Sequence, residues 1–358
     1  MTTIRVEVPP RPYDVLVGPI EAGLDRVRDL TSSTTPILVS EPRVFALHGT
    51  SIAERLGARP ILVPEGEAAK DWGALHRLLG ELDALNADRD TPIIALGGGS
   101  VGDLTGLAAA LFKRGCPVIH IPTTLLSQAD SAIGGKTAID AFGQKNLVGT
   151  FHQPTLVIAD TALLDTLDHR QLRSGYAEVV KYGLIDDPAF FHWCEVNGVS
   201  LVSGHREHRH EAVTRAVAAK ARIVAGDTED RSGKRALLNL GHSFAHATES
   251  EAGIGTVLHG EAVAVGMCLA FRFSADLGLC PIADSERVGA HLVSCNLPTR
   301  LADVGVGNRR DSLIGWMERD KKNKGDQIAL ILARGIGRSF LEPRVDVERL
   351  AAFLERSP

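Results

Sequence analysis

Short apolar runs, fenced by proline, glycine or serine, alternate with helix-forming segments through the first half of this chain and then stop. Residues 4–8 and Tyr13–Val17 read as strands, 20–31 as a helix, and 36–40 and 60–63 as short buried-type strands. A helix follows over 70–87, a buried strand over 92–96, a helix over 101–113, and strands over 118–121 and 155–159. Strands that alternate with helices imply a doubly wound, mostly parallel sheet whose ligand sits at the carboxyl ends of the strands. From about 168 to 320 nearly everything reads as helix, and a strand pair at 327–332 and 338–341 precedes a last helix over 345–356. The expected architecture is an α/β N-terminal domain over 1–168 and an α-helical C-terminal domain over 169–358.

The bulk numbers narrow the function. A chain of 358 residues, 44% hydrophobic and 23% charged, is long enough for two domains. A net charge of −5 argues against a broad nucleic-acid surface. No apolar run reaches the ~20 residues that a membrane helix needs. Met-Thr-Thr-Ile-Arg-Val lacks the basic and apolar regions of a signal peptide. The five cysteines (116, 194, 268, 280 and 295) form no C-x-x-C and read as reduced thiols. A cytoplasmic protein acting on a small molecule is expected.

The strand at 92–96 ends in Gly97-Gly-Gly-Ser-Val-Gly-Asp103, and a helix follows. Without side chains, backbone N–H groups can approach a pyrophosphate at a helix N-terminus. Gly97, Gly99 and Gly102 satisfy G-x-G-x-x-G, but no acidic residue stands ~20 positions on at a strand end, as the ordinary fingerprint requires. A tight strand-to-helix turn explains the same glycines. Glu67 and Lys70 after one strand, and Thr123 and Thr124 after another, favour a nucleotide.

Residues 127–150 read as a polar loop system. The Gly-Gly before Lys136 lacks P-loop spacing, and no helix-forming run follows directly, which excludes a P-loop ATPase. Two readings stand: an exposed hairpin with solvated lysines, or a phosphate site made by Lys136, Lys145 and Asn146.

In the second half, Arg235, Asn239, His242 and His246 punctuate an apolar, helix-forming run in steps of four, three and four, which keeps them on one helical face. His259 opens another apolar helix, and Tyr176-Ala-Glu178-Val-Val-Lys181 sets a carboxylate and an amine three apart. Two histidines four apart are also compatible with a partly buried polar stripe, but Arg235 and Asn239 beside them have no place in an apolar core. One carboxylate and two imidazoles with an open position form a common catalytic zinc set. Ser243 stands where H-E-x-x-H needs glutamate, so a zinc peptidase is disfavoured. The run His205-Arg-Glu-His208-Arg-His210 reads as a solvated helix face.

Taken in order, GGGSVGD, KRG, IPTTLLSQADSAIGGKT, KN, AEVVKYG, RALLNLGHSFAHA, HGEAVAVGM and RDKK resemble the 3-dehydroquinate synthase family of sugar-phosphate cyclases, from about Glu65 to Gly337. The resemblance implies an NAD-binding α/β domain, a helical metal- and substrate-binding domain, a cleft between them, and a homodimer. It implies conversion of 3-deoxy-D-arabino-heptulosonate 7-phosphate to 3-dehydroquinate and phosphate, with transient oxidation by NAD and a divalent metal, zinc or cobalt. By the same resemblance Glu178, His242 and His259 are the metal ligands, and His246 assists proton removal. Lys136, Asn146, Asn239 and His246 match phosphate contacts, with Lys145 beside them, and Arg114 matches one reached across the dimer. Asp130, Lys181, Lys220, Arg235 and one of Lys321 or Lys322 match contacts to substrate hydroxyls and carboxylate. Glu67, Lys70, Gly97, Gly98, Gly99, Asp103, Thr123, Thr124 and Thr166 match NAD contacts.

The chain departs from the family pattern in three places. Ala245 replaces a glycine between the two histidines, Ser40-Glu41-Pro42 replaces the usual ribose-contacting residues, and the loop 226–234 is one residue longer, around Glu229 and Asp230. A related cyclase, or an NAD- and metal-dependent alcohol or glycerol dehydrogenase of the same fold, is the alternative. A dehydrogenase has no need of the phosphate set Lys136, Asn146 and Asn239. A binding or regulatory relative would be expected to have damaged ligands, and none is damaged.

Overall fold

The computed structural model describes residues 1–31, 34–230, 233–253, 255–307, 310–318 and 328–357. The chain divides into two compact units, residues 1–168 with 209–229, and residues 169–208 with 230–358. The segment 209–229, expected with the helical half, belongs to the first unit.

The first unit is built on a seven-stranded sheet. Its strands are β1 (Thr2–Val6), β2 (Tyr13–Val17), β3 (Ile37–Ser40), β4 (Arg59–Leu62), β5 (Ile93–Gly97), β6 (Val118–Pro122) and, after a separate hairpin of β7 (Lys136–Ala141) and β8 (Gln144–Phe151), β9 (Leu156–Ala159). The order is β1-β2-β9-β6-β5-β3-β4. Only β1 runs antiparallel to its neighbour; every other pairing is parallel. The inner strands β3, β5, β6 and β9 are buried along their whole length, which is why they read as continuous apolar runs rather than alternating ones. β1 begins and ends two residues earlier than expected, because its ladder with β2 runs out where Val6 meets Tyr13.

The chain passes from β3 outward to β4 and returns to the other side of β3 as β5. That reversal makes a switch point, and in open α/β sheets ligands bind outside the carboxyl ends of the strands there. Gly97 closes β5 at this place, and the helix Gly99–Leu111 opens immediately after it, two residues earlier than expected. The helix expected over 70–87 is shorter, Trp72–Ala84: the Asp71 carboxylate caps it by accepting from the Ala74 N–H at 2.6 Å, and Gly66–Ala69 forms a separate 3-10 turn. The polar stretch after residue 127 is a π-type turn, Ser127–Ser131, followed by the β7–β8 hairpin. Phe142 at φ 52 and Gly143 at φ 74 close it, the paired positive φ values of a type I′ turn.

The second unit is mostly helical: His169–Ile185, Pro188–Val202, His242–Ala252, His259–Asp276, Ile282–Ser294, Arg310–Glu318 and Val347–Arg356. A hairpin of β10 (Ile328–Ala333) and β11 (Ser339–Val345) accompanies them. The helices His169–Ile185 and His259–Asp276 are buried on nearly all sides and form the centre of this unit. The terminal helix Val347–Arg356 buries one stripe, Leu350, Phe353 and Leu354, and is capped by Asp346. All five cysteines are free and buried. Among the described residues no helix is long and apolar enough to cross a membrane.

Candidate active site

The expectation that Arg235, Asn239, His242 and His246 share one helical face is not met. Arg235–Asn239 is a 3-10 turn, the chain leaves helical geometry at Leu240 (φ −54, ψ 121), and Gly241 at φ 80 starts a new helix, His242–Ala252. The break comes from a neighbour. A β-carbon on Gly241 would lie 2.6 Å from the Met267 nitrogen, and one on Gly266 would lie 2.1 Å from the Gly241 carbonyl oxygen. The two backbones touch where both lack a side chain. His242 thereby becomes the first residue of its helix, as His259 is the first of His259–Asp276.

A second close approach brings in the carboxylate. The Gly260 N–H donates to the Ser174 hydroxyl at 3.0 Å, and a β-carbon on Gly260 would fall 1.8 Å from the Ser174 carbonyl oxygen. One turn on from Ser174, Glu178 is fully buried and faces both imidazoles. Its Oε1 lies 3.6 Å from His242 Nε2 and 3.4 Å from His259 Nε2. Its Oε2 is ion-paired with Lys181, which is itself buried.

One ligand atom from each of Glu178, His242 and His259 lies within 4.8 Å of the others, and this is the group of three among the described residues that can hold a metal ion. Tetrahedral ligands about 2.1 Å from a common centre stand roughly 3.4 Å apart, so the spacing fits. Each ring is turned from behind. His242 Nδ1 donates to the Leu240 carbonyl at 3.3 Å, and His259 Nδ1 donates to Glu249 Oε2 at 3.4 Å. Both Nε2 atoms are thus directed at the common centre. Desolvation works against the charged form of His259, but the hydrogen bonds and charges of Glu178 and Glu249 outweigh it and push its pKa up to about 10. A cation in the same place would take over that proton's role.

His246 lies outside this group, its ring centre 5.7 Å from that of His242 and 6.3 Å from that of His259. Arg235 is buried and Asn239 half-buried on the preceding turn. Glu249 was missed by sequence reasoning, although it lies seven residues after His242, a same-face spacing on a helix. Lys321 and Lys322 lie outside the described residues. The histidine run at 205–210 forms no such group; His205 and His208 stack at 4.1 Å.

In the first unit the expected residues gather at the switch point. A β-carbon on Gly97 would lie 2.7 Å from the Val101 side chain, and one on Gly98 would lie 3.2 Å from Thr124, so the turn has no room for larger residues. The Thr123 N–H donates to the Gly97 carbonyl, and Thr124 shares a hydrogen bond of 2.7 Å with Ser127. Buried Lys70 donates to Asp103 at 2.6 Å and also reaches the Asn146 side chain. Its desolvation is outweighed by Asp103 and Glu67, which raise its pKa. Lys70 therefore ties a residue expected at the nucleotide to one expected at phosphate. Lys220 is buried and pairs with Asp130 at 2.8 Å. Lys136 opens β7 and is exposed, Lys145 is half-buried in β8, and Thr166 bonds His48 at 2.9 Å. Arg114 (φ 66) follows Lys113 (φ 46) in left-handed geometry, which non-glycine residues seldom adopt. Ser40 turns inward to the Leu96 carbonyl, and Glu41 accepts from the Gly66 N–H at 3.2 Å, so this departure from the family pattern is built into the local hydrogen bonding.

A doubly wound sheet with a glycine turn at its switch point, together with a helical unit that carries a Glu-His-His group able to hold a metal, is what the dehydroquinate synthase-like fold comprises. Solved structures share it over the full chain. A 2-epi-5-epi-valiolone synthase from Streptomyces hygroscopicus subsp. jinggangensis, with NAD+ and Zn2+ bound, superposes with a TM-score of 0.88 at 30% identity, over 97% of each chain. A 2-deoxy-scyllo-inosose synthase complexed with carbaglucose-6-phosphate, NAD+ and Co2+ gives 0.87 at 28% identity, over 100% of each. Residues 60–174 match the family described as 3-dehydroquinate synthase N-terminal, and 175–323 match 3-dehydroquinate synthase C-terminal. The 3-dehydroquinate synthase of Rhodospirillum rubrum is 47% identical over 364 residues, 99% of this chain and 94% of the relative. The chain belongs to the 3-dehydroquinate synthase family.

Proposed function

We propose that this protein converts 3-deoxy-D-arabino-heptulosonate 7-phosphate to 3-dehydroquinate and phosphate, using recycled NAD and one divalent metal, zinc or cobalt. The observation that carries the reading is the buried Glu178 held against His242 and His259, in a chain of this family. When bound, NAD takes and returns a hydride, and the metal polarises the hydroxyl that is oxidised.

The protein's own residues bind, orient and move protons. Glu178, His242 and His259 hold the metal, with Lys181 and Glu249 fixing the carboxylate and one imidazole from behind. His246 stands beside the group and takes the proton from the hydroxyl. Lys136, Lys145, Asn146 and Asn239 bind the phosphate, and Arg114 serves the phosphate of a neighbouring copy in a homodimer. Asp130, Lys220, Lys181 and Arg235 bind hydroxyls and carboxylate, where charge-assisted hydrogen bonds are strongest. The glycines at 97, 98 and 99, with Glu67, Lys70, Asp103, Thr123, Thr124 and Thr166, hold NAD. The first unit is thus the NAD-binding one and the second the metal-binding one, in a cytoplasmic enzyme.

A related sugar-phosphate cyclase is the second reading, favoured by the full-length superposition on two such enzymes. Identity of 47% to a dehydroquinate synthase, against 28% and 30% to those cyclases, weighs for the first. The test is to incubate pure protein with the heptulosonate phosphate and catalytic NAD+. Phosphate release without NADH accumulation is expected. Stoichiometric NADH with phosphate retained would overturn the assignment in favour of a dehydrogenase.

A further inference from the structure

The second unit carries a cavity of about 680 Å³ that the reading above leaves unused. It opens where the start of the helix His259–Asp276, the end of the helix Ile282–Ser294 and the 3-10 turn Leu301–Val304 come together. That volume lies in the range of small-molecule sites. Val257, Val293 and Leu297 give it an apolar wall. Among the described residues that line it the charged ones are Arg170, Glu261, Arg300 and Asp303, two of each sign. The four are paired but not used up. Arg170 grips Glu261 with two bonds, at 2.6 and 2.8 Å. Arg300 donates twice to Asp303 Oδ1, at 3.0 and 2.7 Å, and Asp303 Oδ2 accepts from the N–H groups of Thr299 and Arg300 at 3.1 Å. A carboxylate offers about four acceptor sites, so Asp303 is saturated. Glu261 is not: Oε2 accepts from Arg170 and from the Leu258 N–H at 3.0 Å, but Oε1 accepts from Arg170 alone. Nη1 of Arg300 and the carboxamide of Asn296, which also lines the cavity, make no hydrogen bond among the described residues.

We propose that this cavity binds a free α-amino acid with a large apolar side chain, and that its occupancy tightens the metal centre. The ligand's carboxylate takes Arg300 Nη1 and the Asn296 amide, its ammonium takes Glu261 Oε1, and its side chain covers the apolar wall. A lining of balanced charge suits a zwitterion. An anion alone would face Glu261 and Asp303, and a cation alone would leave Arg300 unmet. The coupling runs through Glu261, whose Oε2 caps the first turn of the helix that His259 opens. A ligand that holds this carboxylate in place holds that turn in place. The coupling rests on the reading of Glu178, His242 and His259 as metal ligands; the binding does not.

The experiment is calorimetric titration of the full protein with L-phenylalanine, with 3-phenylpropionate, which lacks the ammonium, and with phenethylamine, which lacks the carboxylate. L-Phenylalanine should bind at one site, and each analogue at least about tenfold more weakly, the worth of one charge-assisted hydrogen bond. Arg300→Gln, and Val293→Asp in the apolar wall, should each weaken L-phenylalanine by a similar factor. Zinc affinity, read by competition with a chelator, should rise about two- to fivefold when L-phenylalanine is present, and that rise should vanish in Arg300→Gln. L-Phenylalanine should bind more tightly by the same factor once zinc is bound, because such coupling is reciprocal. A protein that takes zinc but not L-phenylalanine overturns the proposal, as does equal binding of either analogue or wild-type affinity in both variants. Binding that leaves zinc affinity unchanged overturns the coupling. A protein that takes no zinc under any condition sinks the metal reading and the coupling with it, while the titrations still decide the cavity.

Discussion

The two candidate sites are made in opposite ways. At the switch point of the first unit the site is mainly backbone, a turn whose glycines sit too close to Val101 and Thr124 to carry side chains. In the second unit the site is side chains, Glu178, His242 and His259, delivered by three helices, two of them consecutive and the third well upstream in the chain. A backbone site is specified by its own few residues. A side-chain site depends on how helices approach, and here that approach is set by glycines that never touch a ligand. The two should therefore fail separately and for different reasons.

Glu178→Ala tests that separation most severely. Phosphate release should fall by at least about 100-fold and bound metal should drop well below one equivalent, while NAD+ titration stays at the wild-type value. A full metal equivalent in this variant, measured by elemental analysis, would mean that the ligand set is wrong. Gly241→Ala should come next, because it forces a side chain into left-handed geometry and against the backbone of Met267. A loss of about 2–4 kcal/mol in urea unfolding is expected. An unchanged midpoint would show that the neighbouring helix gives way easily and that the ligands are less firmly placed than argued.

Lys136→Ala should cost about 1.5–3 kcal/mol, roughly one to two decades, in substrate affinity. Metal content should be unaffected; a variant that lost its metal would break the division between the two sites. The pH dependence of stability comes from buried histidines outside the metal group. Burial lowers His291, beside Tyr176, to about 4, as it does His120. A histidine whose folded pKa lies below the unfolded ~6.5 gives stability that is complete above that value and is lost as pH falls toward 4. Each should contribute a loss on the order of 2 kcal/mol across that window. Histidine NMR titration showing either group near its ordinary pKa would remove the effect. The smallest change is the control for Gly241. Gly289, in the helix Ile282–Ser294, has nothing within 4 Å of an added β-carbon, so Gly289→Ala should stabilise by about 0.5–1 kcal/mol.

The same contrast explains what could be read in advance. The inner strands were legible because burial on both faces leaves continuous apolar runs, as in Ile93–Gly97. The glycine turn was legible because strand, turn and helix lie together in the chain. The break at Leu240 and Gly241 was not, because Arg235 to His246 has good helix-forming composition and the cause of the break is Gly266, 25 positions beyond Gly241. The identities of Glu178, His242 and His259 were in the sequence, but their meeting comes from helix packing, and the four-three-four spacing that placed His242 on one helical face with Arg235, Asn239 and His246 does not describe it. Glu249 was hidden for a like reason: its partner His259 stands on the next helix.

The contact between Gly241 and Gly266 has a consequence for how this protein can change over generations. The separation of His242 from His259 depends on two positions where nothing larger than hydrogen fits. Replacing either glycine pushes the start of one helix away from the body of the other, and replacing both compounds the push instead of relieving it. No pair of compensating exchanges leads away from this arrangement by small steps. Drift is confined to residues around the ligands, such as Ala245, a fully buried methyl group between His242 and His246 in the chain. The lineage can retune the chemistry near its metal far more readily than it can alter the spacing on which that metal depends.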